Sequence, residues 1–232
     1  MSDNKTGKYL KYAIGEIVLV VIGILIALSI NNWNQDRINS KKERLLLKEI
    51  NTEFKLNKAE LESTISTYTR IREYCYFLSE SFPIIQSEIN RDTLARALSR
   101  IRNLSSADLS TGSIATLINT SSFEIISNTE LRSLLIQWGD LISDYFEREG
   151  QAISYTRQTI IPYLAKRIPQ PYSIGLDDDR VDLSFMNSLE FENLINDRRN
   201  DINTLLQVVE EEENDIRKAL DRIIFLTNNT KE

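Results

Sequence analysis

Between Trp33 and Phe82 apolar residues recur at alternating spacings of three and four: Leu47, Ile50, Phe54, Leu61, Tyr68, Ile71, Cys75, Leu78 and Phe82, with Asn57 and Thr64 in the same register. No Gly or Pro interrupts them before Pro83. The spacing predicts one long helix with a single buried stripe. Asn57 has two readings: a buried polar residue that sets pairing register, as in coiled coils, or a side chain at a wet edge of the bundle, the second being preferred.

Upstream the pattern loses its polar face. Ile17 to Ile30 is an uncharged run of 14 residues, about 21 Å as a helix and short of a roughly 30 Å hydrocarbon core. Extending it from Ala13 to Trp33 gives 21 residues, which is enough. Glu16 then lies near one end, and Tyr9, Tyr12 and Trp33 fall at interfacial depth. A spanning helix is the preferred reading. A cleaved signal peptide competes, because Lys5, Lys8 and Lys11 precede the run and Ala27-Leu-Ser29 resembles a cleavage site; a buried core helix is the third. Against cleavage, the chain continues past Asn31 directly into a charged helical pattern. Within the span Gly23 and Ala27 form a small-xxx-small pair, and Gly15 lies near the same face, so these three are candidates for membrane-helix association.

Downstream, Asn90 or Asp92 can cap a short helix through about Arg102, with Arg91, Arg96, Arg100 and Arg102 pointing outward. A polar stretch, residues 103–113, is followed by Ile114-Ala-Thr-Leu-Ile118 and Phe123 to Ile126, read as helix despite their β-branched content. Ser127-Asn-Thr-Glu130 has the form of a capping box. It opens a helix through Leu131, Leu134, Leu135, Trp138, Leu141, Ile142, Tyr145 and Phe146, extending to Ile161, where Pro162 should kink or end it. Residues 169–180 read as a loop. Asn187 with Glu190 resembles a cap for a last helix carrying Phe191, Ile195, Ile202, Leu205, Val209, Ile216, Ile223 and Leu226.

The expected fold is therefore all-α: a short basic cytoplasmic tail (residues 1–12), a transmembrane helix (13–33) and an extracytoplasmic antiparallel helical bundle (34–232) with a loop near 169–183. Seven basic and four acidic side chains precede residue 47, against 21 and 30 after it. Long translocated domains are weakly constrained by charge, so the tail is placed inside and the acidic bulk outside. An acidic domain does not suit DNA, RNA or anionic lipid.

The chain has 232 residues, no His and one Cys. Histidine-based acid/base chemistry, His-liganded zinc, a Ser-His-Asp triad, an internal disulfide and CxxC sites are excluded. No GxSxG, Walker or GxGxxG pattern occurs. Asp177, Asp178, Asp179 and Asp182 lack EF-hand spacing and read as a solvated loop. Glu210 to Glu213 reads as an exposed helix face. Cys75 reads as a small core residue, with a Cys75–Cys75 bridge open to a parallel dimer. Phe123, Leu131, Leu134 and Trp138 are core by default, with a partner-binding surface as the sharper alternative. No catalytic residue, cofactor or metal site is assigned.

Lys11-Tyr-Ala-Ile-Gly-Glu-Ile-Val-Leu-Val-Val-Ile-Gly-Ile-Leu-Ile-Ala-Leu-Ser-Ile-Asn-Asn-Trp-Asn34 resembles the opening of a family of uncharacterised single-span membrane proteins of Bacteroidota. The stretches from Thr111 to Thr120 and from Phe123 to Trp138 are similar to the same family. The resemblance implies location and architecture and no reaction. The functional expectation is a membrane-anchored helical protein at the inner membrane that binds other protein, itself included. A ligand-sensing bundle acting through a partner is the rival, and a carboxylate-dependent enzyme the weakest reading.

Overall fold

The computed structural model describes residues 5–228 apart from 86–87, 121 and 211–215. The first helix, α1 (Lys5–Glu80), is continuous over 76 residues, about 114 Å at 1.5 Å per residue. The helix is exposed from Ala13 through Ile38, its apolar segment included, whereas from Ile50 on it buries the predicted stripe of Ile50, Phe54, Leu61, Tyr68, Ile71, Cys75 and Leu78. One helix therefore joins an apolar length whose side chains from Ala13 on are exposed to an amphipathic length that packs. The side chains of the N-terminal tail, including Lys5, Lys8, Tyr9, Lys11 and Tyr12, lie outside the described residues.

The rest of the chain makes three more passes along the amphipathic half of α1. The second pass returns toward the apolar segment through α2 (Arg91–Ile101), an irregular strap at residues 103–111, and α3 (Gly112–Asn119). The third climbs again as α4 (Thr129–Tyr155), one π-helical turn at Thr156–Ile160, and α5 (Ile161–Ala165). A distal connection holding α6 (Tyr172–Gly175) and a 3₁₀ turn at Leu183–Asn187 leads to the last pass, α7 (Leu189–Glu210) and α8 (Ile216–Asn228). Cross-contacts give the directions. Asn51 bonds Thr227 at 2.8 Å, Glu62 pairs with Arg217 at 2.8 Å and Ser79 accepts from Arg199 at 3.0 Å, so the last pass is antiparallel to α1. Glu43 meets Ser127 and the Phe54 ring lies tilted against Trp138 with centroids 4.9 Å apart, so α4 runs parallel to α1. The result is an up-down-up-down helical bundle, and among the described residues there is no strand.

Several local expectations change. Asn90 caps α2, its side chain accepting from the Thr93 N–H. Arg91 and Arg102 do not simply point outward: Arg91 donates to the Leu176 carbonyl and pairs with Asp177 at 3.1 Å, and Arg102 lies 5.3 Å from the Tyr172 ring. α4 is capped by Asn128, which accepts from Leu131 N–H at 2.9 Å, rather than by Ser127. Ser127 is drawn away because its N–H and hydroxyl both bind Glu43, and Glu130 turns to Arg222 instead of back to the cap. Ser188, not Asn187, receives the Phe191 N–H at the start of α7. Asn187 is engaged with the Ile84 peptide, accepting at 2.6 Å and donating at 3.1 Å. Pro162 neither ends nor breaks the third pass; a π turn immediately before it carries the chain into α5 with Pro in the first turn, where its missing N–H costs least. The last helix is described as α7 and α8, and the Glu211 to Glu213 run lies outside the described residues.

Candidate functional site

The residue types that matter inside the bundle are polar. Residues 103–111 lie outside helix and strand, so apart from the Asn103 N–H and the Thr111 carbonyl their backbone groups have no helical partners, and burying such groups without compensation costs a few kcal/mol each. Side chains from all three other passes supply the partners. Asn57 of α1 accepts from Ser110 N–H and donates to Ser110 C=O, both at 2.8 Å. Tyr68 of α1 donates to the Ser105 carbonyl at 2.7 Å. Glu149 of α4 accepts from Ala107 N–H at 2.9 Å, Ser106 hydroxyl at 2.6 Å and Tyr145 hydroxyl at 2.9 Å. Arg198 of α7 donates to the carbonyls of Ile101, Asn103 and Ala152 at 3.3, 3.1 and 2.8 Å. The Ala152 contact falls just ahead of the π turn, where Thr156 also bonds that carbonyl, so Arg198 enters the helix ladder where it widens.

Arg198 is fully buried and forms no ion pair among the described residues. Burial pulls its pKa down, opposed by neighbours including Tyr68 and Asp201, and a guanidinium remains charged nonetheless. Carbonyl dipoles and the Tyr68 ring, 5.9 Å away, take the place of a carboxylate. Burial likewise pushes the Tyr68 hydroxyl and the Cys75 thiol up to about 12 each. Tyr145 is raised for the same reason, with the Glu149 carboxylate adding to the effect. Chemically the arrangement is a clamp, since each hydrogen bond that places Arg198 and Glu149 goes to a group of the chain itself.

Other candidates fall as follows. Asn57 is not at a wet edge; it is buried and ties the strap. Cys75 is a buried free thiol, so a Cys75–Cys75 bridge would require opening the bundle. Leu131 and Trp138 have no exposed surface, and Phe123 and Leu134 are half-buried against the same core, so packing consumes the proposed partner-binding surface. Gly15 and Gly23 lie on the exposed length of α1, where an added Cβ would meet nothing, and Ala27 is exposed with them. In the acidic loop Asp178 is clamped by Arg180, which holds its carboxyl at about 2, and Asp182 accepts from Ser184. Among the described residues no three metal-ligating side chains converge.

Two of the clamp residues carry a signal in the sequence itself. Glu149 continues the stripe Leu131, Leu135, Trp138, Ile142, Tyr145 with the next spacing of four. Arg198 fills the gap between Ile195 and Ile202. A charge on an apolar stripe is the mark of a buried charge with partners. A distal groove of about 570 Å³ beside the π turn, lined in part by Tyr155, Gln158, Tyr163, Lys166 and Arg167, had no such signal. Its guanidinium, Arg167, lies 3.6 Å from the Tyr163 ring and pairs with Glu190.

A helical bundle carried on a helix long and apolar enough to cross a membrane is the class of protein these features define. The chain belongs to the family of unknown function DUF6090, whose model matches residues 16–148. That match takes in the apolar segment, the strap and most of α4. No curated protein and no solved structure matches the chain.

Proposed function

We propose that this protein is a membrane-anchored module that holds a helical bundle at the inner (cytoplasmic) membrane for contact with other protein. Residues 1–12 lie in the cytoplasm, 13–33 span the bilayer and the bundle stands in the periplasm. The observation that carries this reading is the apolar segment of α1, which is exposed along its whole length while remaining one helix with the bundle. Water would charge such a surface about 25 cal/mol per Å², and lipid removes that cost. Trp33, with Arg37 5.8 Å from its ring, suits the interface at the outer end. Residues 34–45, about 18 Å of charged helix, then form a stalk below the first core residues. No catalytic step, cofactor or nucleic-acid contact belongs to this role.

Reporter fusions at the C-terminus test sidedness: an alkaline phosphatase fusion should be active and a cytoplasm-dependent reporter silent, and the reverse pattern overturns the periplasmic placement. Extraction of membranes at alkaline pH should leave the protein in the pellet. The distal groove favours one second reading, a ligand-sensing bundle. A small molecule that copurifies with the protein and is lost on Arg167→Ala would favour it over a scaffold.

A further inference from the structure

On α1, at 3.6 residues per turn, Ile38, Leu45, Thr52 and Leu56 fall in one line on the side away from Ile50, Phe54 and Leu61. Ile38, Leu45 and Leu56 are 38%, 54% and 64% exposed, an apolar ridge left in water beyond the span. A groove of about 560 Å³ runs beside it, between Leu45, Thr52 and Leu56 on α1 and Ser110 on the strap. The flanks of the ridge are charged and opposite in sign. Lys48 and Lys55 lie on one side and Glu49, Glu53 and Glu60 on the other. Neither lysine is in an ion pair among the described residues. Glu53 accepts from Ser113 N–H through Oε2 and keeps its buried Oε1 without a donor.

Charge of this kind selects its own partner. When two identical helices pack in parallel about a two-fold axis, the flank on one side meets the opposite flank of the other copy, five positions on. Lys55 then faces Glu60, both of them exposed, twice over by symmetry, and Lys48 comes to the side of Glu53. Continued down the same line, the face reaches Gly23 and Ala27, whose small side chains let two helix backbones approach within the bilayer. A common membrane holds every copy in the same orientation and at the same height, which supplies the parallel geometry without cost. Above Leu56 the line turns polar, at Ser63 and Arg70, so the contact ends there and the two bundles diverge.

We propose that the protein is a parallel homodimer packed along the outer face of α1 from Gly23 to Glu60, with Lys55 of each copy facing Glu60 of the other. The proposal rests on the membrane-anchored reading. The test uses the full chain in phosphatidylethanolamine–phosphatidylglycerol nanodiscs. Native mass spectrometry of the wild type should give twice 26.8 kDa, and a single mass overturns the proposal. On a Cys75→Ala background, Leu45→Cys and Leu56→Cys should each form disulfide dimers on oxidation about tenfold more than Ile136→Cys, exposed on α4, does. Equal yields at all three positions overturn it. Lys55→Glu should weaken the dimer about tenfold, and Lys55→Glu with Glu60→Lys should restore it; no change in either case overturns the pairing. Alkaline extraction of cell membranes from the same strain separates the two levels. Release of the protein overturns the anchored reading, whereas a retained monomer overturns the dimer alone.

Discussion

Replacing Arg198 by alanine removes hydrogen bonds from three carbonyls at once, those of Ile101, Asn103 and Ala152, in a place water does not reach. The loss expected for emptying a buried charged cluster is about 3–5 kcal/mol. Arg198→Lys should recover only a minor part, because one ammonium cannot span acceptors on two passes as a guanidinium fork does. Urea unfolding of the detergent-solubilised chain, followed by circular dichroism, measures both. A cost under about 1 kcal/mol for the alanine variant would mean the strap is held by packing instead. The thiol of Cys75 and the hydroxyl of Tyr68 make a second prediction at this scale. Unfolded, they ionise near 9.0 and 10.0; folded, they keep their protons up to about 12. Above pH 9 the unfolded state therefore binds fewer protons than the folded one, so the stability these groups contribute is intact below pH 9 and is lost as pH rises toward 12. The unfolding temperature should fall across that window, and Cys75→Ala with Tyr68→Phe should make the fall shallower, the remainder coming from Tyr145 and Tyr155, which burial raises likewise.

At the scale of elements, legibility followed periodicity. The long helix, its stripe and the third pass could be read because residues three and four apart must face one way. Of the second pass, α2 and its Asn90 cap are legible in the same way, whereas the strap at residues 103–111, which buries Ala107 and Leu109 and exposes Ser106, Asp108 and Ser110, reads only as a polar stretch. It is specified instead by residues far away in sequence: Asn57, Tyr68, Glu149 and Arg198. Caps were half legible. The right four-residue window, Ser127 to Glu130, was recognised, but the tertiary partner Glu43 takes Ser127 and leaves the cap to Asn128. Asn128→Ala should therefore cost about 1 kcal/mol by loss of the cap. Ser127→Ala should leave the α4 end as protected from hydrogen exchange as before. Equal deprotection in both variants would return the cap to Ser127. The strap makes its own prediction: Asn57→Leu preserves volume and apolarity yet strips both bonds from the Ser110 peptide, and should cost about 2–3 kcal/mol. Amide exchange should rise in residues 103–111 ahead of the helices.

For the whole molecule, the division of α1 decides what can be removed. Its first fully buried core residue is Ile50, Leu46 and Leu47 are only half-buried, and the first tie to another pass is Glu43 with Ser127. Between residues 13 and 33 no side chain enters the core. A chain of residues 34–232 should thus be water-soluble, as helical as the bundle in the intact protein, and unfold within about 2 °C of it, since no core contact is lost. The same cut should also loosen self-association. Confinement in one membrane raises the effective concentration of parallel α1 faces, and the span adds the Gly23 and Ala27 contact, so both advantages disappear together. Truncated protein carrying Leu45→Cys should accordingly crosslink far less at micromolar concentration than the anchored chain does in nanodiscs. Gel filtration and circular dichroism decide the first point. A truncated chain that aggregates or unfolds would show that the apolar segment belongs to the protein's own core, and the exposure of that segment would then have to be satisfied by protein rather than by lipid.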